Sequence, residues 1–121
     1  MRVAIVVQRF PVLSETFISQ QALYMDAPIL CELVDEPLRN QLGFSGLVKA
    51  IGKDTLTHRM VRSIAYWSGF YSERWDRRQE ERAAAWLRSL EIDVVLAHYG
   101  FNGIRIARVC RRANLPLFVH F

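Results

Sequence analysis

The feature that most constrains this chain is a buried-strand pattern running across a proline into a helix start. Val3-Ala4-Ile5-Val6-Val7 is an unbroken apolar run rich in β-branched residues. Such a run suits a strand covered on both faces, as in a parallel sheet, rather than one with a wet face. Pro11 interrupts the pattern, and Ser14 followed by Glu15 reads as an N-cap with an acid in the first turn. Phe17, Ile18, Ala22 and Met25 then fall on one helical face. Strand, short loop and helix in that order open an α/β sheet, in which ligands sit outside the carboxyl ends of the strands.

The same grammar returns near the other end. Ile92-Asp93-Val94-Val95-Leu96-Ala97 is the clearest internal strand, followed by His98-Tyr99-Gly100-Phe101-Asn102-Gly103. A helix burying Ile106, Ala107, Cys110 and Ala113 leads to Pro116 and a strand over Leu117–Phe121. Between these ends, Ile29–Val34 reads as a second strand, and 35–46, with Pro37, Asn40, Gly43 and Gly46, as loop. Leu56, Met60, Ile64, Trp67 and Tyr71 make a helical stripe, and a further helix runs from about Glu73 to Leu90. The fold class is therefore α/β, a Rossmann-like open parallel sheet. The chain stops at a strand with no crossover after it, which reads as an incomplete domain over 1–121.

Composition narrows the classes further. An apolar share of 51% with 23% charged residues supports a packed globular core and excludes a disordered chain. The first apolar run is far short of a membrane span and has no signal-peptide cleavage pattern, so a cytoplasmic chain is expected. Cys31 and Cys110 lie far apart in apolar patterns and read as reduced core residues. They and His58, His98 and His120 show no ligand spacing, so no metal site is expected. Charge is uneven: after Asp93 there is no acid, while Arg105, Arg108, Arg111 and Arg112 crowd one segment. That bias favours an anionic neighbour without choosing among phosphate, phospholipid and nucleic acid.

Two loops carry the candidate chemistry. In the first, the amides and side chains of Ser14, Glu15 and Thr16 stand at a carboxyl strand end, suited to hydroxyls or an anionic group. The plain alternative is that Pro11 turns, Ser14 caps and Phe17 packs. No glycine-rich cradle is present, which argues against a dinucleotide enzyme of the NAD type. In the second, His98 and Tyr99 suit sugar hydroxyls by hydrogen bonding and stacking. Asn102 would cap the helix, and Gly100 and Gly103 let backbone approach closely. Here the plain alternative is an ordinary turn with a solvent-facing histidine. His120 reads by strand alternation as a wall or core residue.

Phe10-Pro11-Val12-Leu13-Ser14-Glu15-Thr16-Phe17, just after an N-terminal strand, resembles the start of family 4 glycosyltransferases of bacterial exopolysaccharide assembly, of the colanic-acid type. Asp93-Val94-Val95-Leu96-Ala97-His98-Tyr99-Gly100 stands where that family carries a His-Phe-Gly-type turn. The likeness covers residues 1–24 and 92–121; Tyr24–Ile29 departs from the family's Gly-His-x-Val turn. The resemblance implies a GT-B fold, of which this chain is the N-terminal, acceptor-side part. The C-terminal domain that binds most of the nucleotide-sugar lies outside the chain, which alone is expected to be inactive. Transfer of a sugar to a polysaccharide or lipid-linked oligosaccharide is implied, with retention and no essential metal. The nucleotide-sugar is then a substrate and no cofactor is expected. Acceptor-side contacts fall on Ser14, Glu15, Thr16, His98, Tyr99, Gly100 and Asn102.

The middle of the chain leaves a second reading open. Trp67, Phe70, Tyr71 and Trp75 lie among Arg59, Arg62, Arg74, Arg77 and Arg78. This is either a buried stripe with solvated arginines, balanced by Glu73, Asp76, Glu80 and Glu81, or a peripheral patch for the inner face of a membrane. The rival function is a non-catalytic α/β binding module with a basic face for an anionic partner, a phospholipid surface or nucleic acid. Nucleic acid is not expected, because no helix-turn-helix, RNP-like or zinc motif is present.

Overall fold

The computed structural model describes residues 1–51 and 75–121. Among them, β1 (Val3–Phe10), β2 (Ile29–Val34), β3 (Val48–Ala50), β4 (Val94–His98) and β5 (Leu117–His120) form one all-parallel open sheet. Its strand order is β3-β2-β1-β4-β5, the α/β Rossmann-like arrangement expected from the sequence. The helices are α1 (Thr16–Met25), α2 (Glu36–Leu42), α3 (Arg77–Ser89) and α4 (Gly100–Ala113). From β1 the chain builds outward on one side and then returns to build on the other. The sheet therefore reverses direction between β1 and β4.

The unbroken apolar run of β1 is explained by two cores. Ala4 and Val6 point to one face, with Leu30, Val95 and Ala97, against Ala83 and Leu87 of α3 and Ile106, Val109 and Cys110 of α4. Ile5 and Val7 point to the other, with Ile29 and Cys31, against Ile18 and Ala22 of α1. Period-two alternation divides an all-apolar strand between both layers. Cys31 and Cys110 are free, buried thiols. Burial pushes the Cys31 thiol up to about 12 and that of Cys110 up to about 11.

Segment 35–46 is not simply loop, as its composition suggested. Asp35 accepts a hydrogen bond from the Leu38 amide at 3.1 Å, Pro37 occupies the first turn, and Gly43 ends α2 with φ 67°. Proline just inside a helix start and glycine just past its end are helix punctuation. The short β3 was also missed. Helix α3 begins at Arg77 on a reciprocal cap, with Gln79 N–H to Asp76 at 2.8 Å and Asp76 N–H to the Gln79 side chain at 2.9 Å. The stripe from Leu56 to Tyr71, Glu73 and the aromatics Trp67 and Phe70 lie outside the described residues.

The arginine cluster is largely balanced within the fold. Arg105 Nη1 lies 2.7 Å from Glu32 Oε2, both side chains being nearly buried. Glu80, only 2% exposed, receives Arg108 at 3.5 Å and Arg112 at 3.2 Å and so ties α3 to α4. Glu80 is thus a core carboxylate rather than a solvated balancing acid, and Trp75 is buried rather than laid on a surface.

Candidate site at the carboxyl edge between β1 and β4

The two loops singled out in the sequence meet. Because β1 and β4 are neighbours, with Val6 opposite Ala97, the segments after Phe10 and after His98 emerge side by side. Helix α1 packs on one face and α4 on the other, the arrangement in which open α/β sheets take ligands at the reversal of strand order.

His98 is the centre of this corner. It ends β4 rather than opening the loop, and at 2% exposure it is not the solvent-facing histidine of the plain reading. Its Nε2 lies 2.8 Å from Gln21 Oε1 of α1, where an Nε2–H donates to the amide oxygen. The Phe17 ring meets the imidazole edge-on at a centroid distance of 5.8 Å, and His120 does so from the other side at 5.4 Å. Burial holds the His98 imidazole below the ordinary histidine range. Positive charge on His120 acts in the same direction, and Glu15 opposes both.

Tyr99 links the two loops. The Glu15 carboxylate, as a hydrogen-bonding neighbour, raises the phenol above its ordinary value, with burial and the negative charge of Glu15 acting in the same direction. The Tyr99 backbone has φ 70° and ψ 148°, and its amide donates to His120 O at 2.7 Å. A side chain other than glycine in that region costs on the order of 1–3 kcal/mol, and such residues cluster at ligand sites.

Several expected roles change. Ser14 caps no helix: Leu13–Glu15 is a 3-10 turn, Glu15 precedes α1, and neither helix start has a side-chain cap. The Glu15 amide is occupied too, donating to Val12 O at 2.9 Å. The hydroxyl-bearing Ser14 and Thr16 remain exposed. Asn102 does not cap α4; it is buried in the first turn and its Nδ2 donates to His98 O at 2.6 Å, fixing the strand-to-helix corner. The glycines serve packing on β5. A Cβ on Gly100 would stand 3.1 Å from the Phe121 ring, and one on Gly103 would stand 2.8 Å from Val119 Cγ2.

Two contributors were missed, and a third was read only in part. Phe17 does not pack away but is 46% exposed beside His98. Gln21, one turn along α1, was legible as a polar residue on a face otherwise carrying Ile18 and Ala22. His120 is not a core residue: it is exposed on β5, in register with His98, and stands as a wall of the corner beside that ring.

An exposed ring beside hydroxyls, a carboxylate and a phenol offers stacking together with directional hydrogen bonds, the chemistry that recognises polyhydroxylated ligands. Among the described residues no group of three His, Cys, Asp or Glu is arranged for a metal ion. No helix among them is long and apolar enough to cross a membrane. The fold defines the class as an open-sheet α/β protein, with this corner at its switch point. No protein-family model, curated protein or solved structure matches the chain.

Proposed function

We propose that this chain is the acceptor-side domain of a glycosyltransferase that moves a sugar from a nucleotide-sugar to a polysaccharide or lipid-linked oligosaccharide. One observation carries the reading: the two segments with family-like sequence, far apart in the chain, converge on one corner through the His98–Gln21 and Phe17–His98 contacts. In this reading Phe17 stacks on an acceptor ring. Ser14, Thr16, Glu15 and Tyr99 bond its hydroxyls, while His98 and Asn102 hold the loops in place. Gly100 contributes by admitting Phe121 rather than by touching sugar. The nucleotide-sugar is held mainly by a second α/β domain, and catalysis belongs to the assembled cleft.

The test is binding of hexose- and uronate-containing oligosaccharides to the 121-residue chain by ligand-observed NMR. Saturation transfer to ring protons, lost in Phe17→Ala, is the expected result. Salt-sensitive binding to DNA or anionic vesicles, with no oligosaccharide response, would overturn it in favour of a basic-face binding module.

A further inference from the structure

We propose that His98 and His120 form a two-imidazole latch whose protonation unties His98 from α1, so that the corner opens or closes with pH. What the corner binds rests on the glycosyltransferase reading; the latch rests on the packing of the two imidazoles.

The two histidines are register partners on adjacent parallel strands, and side chains so paired stand on the same face of the sheet. Their rings are 5.4 Å apart, too close for two positive charges to coexist without mutual repulsion. His120 is exposed, whereas His98 is almost wholly buried. A charge on His98 therefore meets both a desolvation cost and the charge of its neighbour.

The surroundings offer limited relief. The 3-10 turn contributes Glu15, whose carboxylate favours the charged imidazole but is already bonded by Tyr99. The head of α4 contributes the Tyr99 phenol, its ring 6.4 Å from the imidazole. Helix α1 contributes the neutral Gln21 and Phe17. The one charged side chain of β1, Arg9, is paired with Asp35 at 3.4 Å. A proton arriving at His98 enters at Nδ1, because Nε2 already donates to Gln21, and its charge regains hydration only if the ring turns to water. That motion breaks the Gln21 bond and the Phe17 contact, the two side-chain contacts that tie His98 to α1, while Ile18 and Ala22 keep the helix on the sheet.

The experiment is an NMR titration of the histidine Cε1–H signals and backbone amides of the 121-residue chain from pH 7.5 to 5. His98 is expected to titrate below a free histidine, and the amides of Phe17 to Gln21 should shift with the His98 midpoint. In His120→Asn, an exposed and structurally mild change, the His98 midpoint should rise. Oligosaccharide affinity should weaken roughly threefold or more across the same midpoint, as the competent state is depopulated. The latch is overturned if His98 titrates at or above the free value, or if the α1 amides ignore it. An absence of oligosaccharide binding at every pH would sink the glycosyltransferase reading, while the histidine and amide signals still decide the latch.

Discussion

On the α3–α4 side of the sheet the buried charges come in pairs: Glu80 holds Arg108 and Arg112, and Arg105 meets Glu32. At the carboxyl corner of the α1 side the buried polar group is a neutral-favouring histidine on an amide. There the backbone of Tyr99 lies in a region that favours glycine, and Phe17 is 46% exposed. The first region has its buried charges matched inside the fold. The second keeps strain and exposed apolar surface that a purely structural corner has no use for, and that contrast marks where a ligand would repay them.

The contrast can be broken first from its stable side. Glu32→Ala leaves the Arg105 guanidinium with its main carboxylate gone, and stability should fall by about 3–5 kcal/mol in chemical denaturation. A loss below about 1 kcal/mol would mean that this pair is not the buried anchor its burial indicates. Next is Gly103→Ala, whose new methyl meets Val119; it should cost about 1–3 kcal/mol, with part recovered when Val119→Ala is added. Full tolerance of the alanine would show that α4 does not approach β5 so closely.

From the ligand side the sign reverses. Tyr99→Gly removes the strained side chain and should raise stability by on the order of 1 kcal/mol while oligosaccharide binding is lost. If the variant is instead less stable, the Glu15 bond outweighs the backbone strain and the corner is structural. Acid titration sharpens the same point. His98 is lowered from 6.5 in the folded chain, so the unfolded chain binds more protons below that value. Its contribution to stability is present above 6.5 and is lost as pH falls through the lower folded value. Chemical denaturation of the wild type and of His98→Gln across pH 7.5 to 5 should show that slope only in the wild type.

Legibility followed physics that acts locally. The parallel sheet was readable because strands covered on both faces must be apolar throughout, as Val3–Val7 and Val94–Ala97 are. The two candidate loops were readable because they follow those strands. What failed depended on tertiary contact or on misread punctuation. Pro37 and Gly43 bracket α2 but were taken as loop signals, although their order, proline first and glycine last, was the helical clue. Ser14 looked like a cap, yet the 3-10 turn moves the helix start beyond it. Gln21 and His120 gain their meaning only because β1, β4 and β5 lie side by side, a pairing that spans 77 residues in the case of Gln21 and His98. The arginines near the end of the chain looked like a free basic face because Glu32 and Glu80, their partners, are remote in sequence.

The central claim, that the corner between β1 and β4 is the ligand site, is tested most directly by mapping backbone amide shifts while an oligosaccharide is added to the chain. The account predicts that the responding amides cluster at Leu13–Gln21, His98–Gly103 and His120, with α3 and the far edge at β3 silent. Shifts centred on α3 and the arginines of α4, with the corner unmoved, would contradict it.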